Sequence, residues 1–294
     1  MSKRPTTRKG DPETTGHSWD GIEEFNNPLP RWWLWVFYAT IIWGIGYTIA
    51  YPAWPGIKQA TPGLLGYSSR AEVEKEIQEF AGRNAELNER LASVELPAIL
   101  DEPDLRTYAV QAGDAVFKTW CAQCHGSGAA GVQAAGYPNL LDDDWLWGGT
   151  IEDIHSTVAH GIRNEDDPSA RWSEMPAFGE ILSEEEIDQV VNHVMVLSGS
   201  DPVDAAAAQA GAEVYEYNCA SCHGEEGEGD RFQGAPNLAD AIWLYGGDYD
   251  TLHETVTYSR FGVMPPWTTR LEEFEIRAVA TYVHQLGGGE AMPE

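Results

Sequence analysis

Among the 294 residues, 18 are Lys or Arg and 47 are Asp or Glu, a formal net charge of −29. So few cations disfavour nucleic acid and anionic lipid surfaces as partners and favour basic ones. From Trp32 to Ile57 charge is missing altogether, in the one long apolar run, WWLWVFYATIIWGIGYTIAYPAWPGI. Methionine is scarce at five, and cysteine scarcer at four. All four cysteines sit inside two copies of one pattern, Cys121-Ala-Gln-Cys124-His125 and Cys219-Ala-Ser-Cys222-His223. None is left over for a disulfide framework, and the spacing is not that of a paired zinc site.

C-x-x-C-H is the attachment pattern of c-type haem. Two thiols three residues apart add across the haem vinyl groups from one helical turn, which sets the His ring under the iron. The chain is therefore read as carrying two covalently bound haem c groups, with His125 and His223 as fifth ligands. The sixth ligands must come from distant points of the chain. Met175 and Met264 each precede Pro, lie before a final helix and occupy equivalent places. His/Met ligation fills both axial positions and raises the potential, which suits electron transfer. The cofactor-binding set is thus Cys121, Cys124, His125, Met175, Cys219, Cys222, His223 and Met264. His125, Met175, His223 and Met264 are the metal ligands within it, and no residue is assigned a catalytic role.

Core packing is the rival reading for a methionine, and it is preferred for Met195 inside VNHVMVLSG. His155 and His253, also at equivalent positions, are competing ligands that would lower the potential. Both fall in helical stretches, nearer a haem edge than its face. His193 aligns with Tyr282, which suggests a packing slot. Pro138 and Pro236 are placed to offer a carbonyl to the second nitrogen of each proximal imidazole. Trp145, Trp243, Arg163 and Arg260 are candidates for the haem propionates, with ordinary packing or surface charge as the alternative.

The uncharged run is long enough to cross a bilayer, with Trp32, Trp33 and Trp35 at one end and Tyr51 and Trp54 at the other. It reads as an uncleaved anchor over 32–54, because the preceding segment is too long for a signal peptide and no small-residue cleavage site follows. Lys3, Arg4, Arg8, Lys9 and Arg31 precede the span. The positive-inside rule then puts 1–31 in the cytoplasm and 55–294 outside, in the periplasm of a bacterial inner membrane. Haem attachment, which takes place on that outer side, agrees.

After the span, residues 55–104 read as a linker with a helix. Ser69 and Glu72 suggest a capping box, and Val73, Ile77, Phe80, Asn84, Leu87, Leu91 and Val94 form one stripe ending before Pro97. The stripe is read as lying against the haem domains, with a seam for another subunit as the alternative. Beyond 105 the chain repeats. Gly113 and Gly211, Cys121 and Cys219, Pro138 and Pro236, and Trp145 and Trp243 are each 98 positions apart, whereas Met175 and Met264 are 89 apart. The difference is extra loop around NEDDPSARW. Two domains follow, 105–199 and 203–289, each resembling a small class I cytochrome c and expected to close around its own haem. The fold class is all-α: one N-terminal transmembrane helix, a linker helix and two cytochrome c domains.

With both haem motifs and the span in place, the chain resembles the dihaem CcoP/FixP subunits of cbb3-type cytochrome c oxidases. The resemblance runs from about His17 to the end. It is carried most specifically by GHSWDGIEEFNNPLPRWWLWVFY, and also by WLWGGTIEDIHSTVAHGIRN, MPAFG and GVMPPW. It implies a subunit that takes electrons from a donor cytochrome c and passes them, through a monohaem cytochrome c subunit, to a haem-copper catalytic subunit reducing oxygen. Partners would be those two subunits, the donor and membrane lipid; the chain would not be an enzyme by itself. One departure is that Tyr258-Ser259 stands where relatives tend to have His-Gly, which touches hydrogen bonding near the second haem. A free-standing anchored shuttle would need no segment such as DGIEEFNNPLPRWW, and a dihaem peroxidase would need an iron with an open position.

Overall fold

The computed structural model describes residues 12–292 and divides into two units, with the boundary after Arg83. Lys3, Arg4, Arg8 and Lys9, on which much of the orientation argument rests, lie outside the described residues. In the first unit a hairpin pairs β1 (Thr14–Trp19) with β2 (Ile22–Phe25), Trp19 opposite Ile22. Its turn is Asp20-Gly21, both at positive φ (46° and 84°), the two-residue geometry whose twist matches that of the strands. The hairpin falls on the very DGIEEF stretch that carries the resemblance, and the Asp-Gly dipeptide is the signal that reveals it.

Helix α1 (Arg31–Ala50) has 20 residues, about 30 Å of rise, and none of them is buried. It stops four residues short of the expected Trp54. Tyr51, which precedes Pro52, is pushed to extended backbone (φ −113°, ψ 161°), and the helix cannot continue through it. The chain folds back so that Leu64 N–H donates to Ile49 O (2.9 Å) and Leu65 N–H to Ala50 O (3.0 Å), satisfying the last helical carbonyls. Helix α2 (Ser69–Ser93) is capped one residue earlier than expected, since Ser68 Oγ accepts from Ala71 N–H at 3.3 Å. Its stripe divides: Val73, Ile77 and Phe80 are 54%, 57% and 64% exposed, whereas Leu91 is fully buried.

In the second unit, α3 (Leu96–Asp101) and α4 (Pro103–Val116) lead through one wide turn, Phe117–Cys121, into α5 (Ala122–His125). After α6 (Ile151–His160) and α7 (Glu184–Leu197), the pattern recurs as α8 (Ala205–Asn218), α9 (Ala220–His223), α10 (Tyr249–Tyr258) and α11 (Glu273–His284). Capping boxes at Ser183/Glu186 and Glu272/Glu275 start the two closing helices.

The expectation of two repeats each closed on itself is corrected by the packing. Opening helix α4 lies against α11, the closing helix of the second repeat, and α8 lies against α7, the closing helix of the first. One core joins Val116, Phe117, Ile154 and Val158 to Trp267, Ile276, Val279 and Val283. A second joins Ile187, Val190, Val191 and Val194 to Tyr215 and Leu252. Matched ring contacts follow the same exchange, Phe117 with Tyr282 at 5.4 Å and His193 with Tyr215 at 5.4 Å. Only residues 198–204 separate α7 from α8, and Asp204 N–H donates to the buried Asn192 Oδ1 at 2.8 Å, so α8 turns straight back onto α7. Successive elements joined by a short connection pack together, and α4 is left to α11.

Candidate haem sites

Both motif histidines close a helix whose next residue is a glycine at positive φ, Gly126 (79°) and Gly224 (80°). The chain then returns so that His125 Nδ1 lies 3.2 Å from Pro138 O, and His223 Nδ1 lies 3.0 Å from Pro236 O. A carbonyl can only accept, so each Nδ1 carries the proton and each Nε2 keeps its lone pair. Burial lowers both imidazole pKa values, opposed by that hydrogen bond, and keeps the rings neutral as metal ligation requires. Burial, with a second cysteine nearby, pushes the Cys121 and Cys219 thiols up to about 11. They stay protonated, as S–H addition to a vinyl group needs.

A cavity of about 240 Å³ opens over His125. It is lined by Cys121, Cys124 and His125 from the first repeat and by Met264, Pro265 and Trp267 from the second. Met175, the methionine of the first repeat, is not among its walls. Met264 is held by a two-way ladder: Ile162 N–H donates to Met264 O and Met264 N–H to Ile162 O, each at 3.0 Å. Gly161 makes this approach possible, since a Cβ there would lie 2.3 Å from Met264 O. The Met175 segment lies correspondingly against α10, where the Ser259 hydroxyl donates to Met175 O. Ser259 occupies the left-handed region (φ 57°) at the position equivalent to Gly161, and its side-chain hydrogen bond to Met175 stands where the Gly161 side has a backbone ladder to Met264.

Arg163 also lines the His125 cavity. Its Nη1 donates to Gly262 O at 3.2 Å, and the guanidinium stands 5.5 Å from the Trp147 ring centroid and 5.7 Å from that of Phe261. Among the described residues no carboxylate lies within 4.0 Å of it, so a cation is held ready for an acidic group. Arg260 is different: Nη1 donates to Glu254 at 3.0 Å, and the guanidinium covers Tyr245 at 4.7 Å. The Trp145 indole N–H donates to Gly288 O at 2.6 Å, a structural use. The competing histidines face carboxylates, His155 Nε2 at 3.1 Å from Glu273 and His253 Nε2 at 3.4 Å from Asp188. Neither lines the cavity.

An apolar cavity with two thiols, a neutral imidazole, a thioether and an unpaired guanidinium fits haem c. With a second C-x-x-C-H motif on the same helical frame, its imidazole held by the Pro236 carbonyl, the class is defined: a c-type cytochrome with two cytochrome c domains. The family model described as cytochrome c oxidase, cbb3-type, subunit III matches residues 109–194 and 206–283, and that for the N-terminal domain of cytochrome oxidase-cbb3, FixP, matches 11–58. The chain is similar to the cbb3-type cytochrome c oxidase subunit CcoP of Cereibacter sphaeroides, 61% identical over 99% of this chain and 100% of that one. It is 56% identical to CcoP of Rhodobacter capsulatus over 99% of this chain and 100% of that one, and 51% identical to FixP of Azorhizobium caulinodans over 97% of each. The chain belongs to the CcoP/FixP family of cbb3-type cytochrome c oxidase subunits.

Proposed function

We propose that this chain is the membrane-anchored dihaem electron-transfer subunit of a cbb3-type terminal oxidase. It receives electrons from a donor cytochrome c and passes them, by way of a monohaem subunit, to a haem-copper catalytic subunit. Helix α1 anchors it in a bacterial inner membrane, with 1–31 cytoplasmic and both haem domains periplasmic. One observation carries the reading: the first attachment motif shares its cavity with Met264 of the other repeat, and the Met175 segment is bonded in turn to Ser259 of the second repeat, an exchange that would give each iron a protein donor on both axial positions. A haem so ligated exchanges single electrons and leaves no open position for a substrate.

The ligand sets are then His125 with Met264, and His223 with Met175. The Pro138 and Pro236 carbonyls orient the two imidazoles. The Ile162 ladder and the Ser259 hydroxyl hold the two methionine backbones, and Arg163 offers its guanidinium to a propionate. Purification of the tagged chain from its own membranes in mild detergent tests the assignment. A haem-copper subunit and a monohaem cytochrome c should accompany it in equal amounts. Recovery of the chain alone, fully haem-loaded, would favour a free-standing shuttle.

A further inference from the structure

A cleft of about 620 Å³ runs between loops of the two repeats and is lined by Asp143, Asp144, Glu228, Asp230, Arg231 and Asp240, among others. Asp144 and Trp145 also line the His125 cavity, so the two together form a wall shared by the water-filled cleft and that site. The wall is fixed, because the Trp145 indole is tied to Gly288 O. We propose that Asp144 couples electron arrival at the His125 site to proton uptake from the cleft, giving that site a pH-dependent potential. The proposal rests on the haem reading of the cavity.

Four charged side chains act on Asp144. Asp142 and Asp143 come from its own loop and Asp240 from the facing one, all repelling a negative carboxylate. Arg231 opposes them, but its guanidinium is already paired with Glu290. Of the other cleft acids, Glu228 is turned to Glu226 N–H at 3.1 Å, and Asp230 accepts from Phe232 N–H and Gln233, each at 2.8 Å. Those hydrogen bonds hold Asp230 below the usual carboxylate range. Partial burial, then Asp240 and Asp142, push Asp144 up to about 6. Asp144 therefore titrates closer to neutrality than an ordinary carboxylate.

An electron from the donor adds one negative charge on the far side of the wall, and water in the cleft supplies one proton to the Asp144 carboxylate. The charge change at the site is then balanced. Coupling is reciprocal: a reduced site raises the proton affinity of Asp144, and a protonated Asp144 favours reduction. The midpoint potential falls as pH rises through about 6 and levels off once the carboxyl is ionised in both redox states.

Spectroelectrochemical titration of the full, haem-loaded chain in detergent between pH 5 and 8.5 tests this. The His125 component is identified by Met264→His, which shifts that component alone. Its reduced-to-oxidised ratio at fixed potential should change about tenfold across the window, the equivalent of one pKa unit of coupling. Asp144→Asn should abolish the dependence while leaving the other component in place, which also shows the variant folded. Asp240→Asn should keep the dependence and move it to lower pH. A flat wild-type profile, or one unchanged in Asp144→Asn, would overturn the proposal, the latter assigning the proton to the haem's own carboxylates. Absence of haem on Cys121 and Cys124 by mass would overturn the reading of the cavity, and the coupling with it.

Discussion

Met264 lines the His125 cavity from the other repeat, with its backbone bonded twice to Ile162. This assigns each methionine a defined effect. In a chain keeping only the first attachment motif (Cys219→Ser with Cys222→Ser), Met264→Ala should open the remaining iron to carbon monoxide and remove the weak sulfur-to-iron absorption in the red. Met175→Ala in the same background should do neither. The opposite result would return each haem to its own repeat. Single residues were legible where chemistry fixes them by local spacing: the two C-x-x-C-H motifs and the proline carbonyls need nothing from beyond one loop. That Met264, and not Met175, lines the cavity over His125 was not legible that way. A repeat has the same residue pattern whether its neighbour is itself or its copy, and Met175 and Met264 are interchangeable to any reading of spacing.

Helices supply what the residues leave open. The seven residues between α7 and α8 were the available clue, because a chain that short holds consecutive helices side by side. The matched glycines mark where the crossings are tightest. A Cβ at Gly113 would lie 2.2 Å from Ala278 O, and one at Gly211 would lie 2.1 Å from Gln189 O, both partners belonging to the other repeat. Sequence alone placed these glycines in register without saying which helix they meet. Gly211→Val should therefore drive α8 from α7. Overpacking of this kind costs about 1–3 kcal/mol or more. Urea unfolding of the full chain, followed by helical circular dichroism, should show that loss together with reduced haem retention at Cys219 and Cys222. Gly82 in α2 has nothing within 4 Å of its would-be Cβ, so Gly82→Ala should stabilise that helix by up to about 1 kcal/mol. Equal behaviour of the two variants would mean that the α7–α8 crossing is not tight.

Across the whole molecule the net charge of −29 is unevenly arranged around two otherwise matching attachment loops. After His125 the chain reads Gly-Ser-Gly-Ala-Ala-Gly, and after His223 it reads Gly-Glu-Glu-Gly-Glu-Gly. Glu225, Glu226 and Glu228 are exposed, and Asp230 is held ionised by its hydrogen bonds to Phe232 and Gln233. Beside them Phe232 stands 97% exposed, an apolar contact ringed by fixed negative charge. That combination suits a basic protein docking over the second attachment site, which we take as the entry point for electrons. Opposite fields raise encounter rates by about ten- to a thousand-fold, and salt screens them over about 10 Å at 0.1 M. Reduction of the chain by a basic donor cytochrome, followed by stopped flow, should slow steeply as ionic strength rises. Replacing Glu225, Glu226 and Glu228 with Gln should flatten that slope. The same change at Glu180, Glu184 and Glu185 should flatten it less; Glu186 is left out of that set because its carboxylate closes the α7 capping box. Both triples remove three charges, so a difference between them measures position. Equal slopes would leave only the overall charge at work, and docking at the second site would fail.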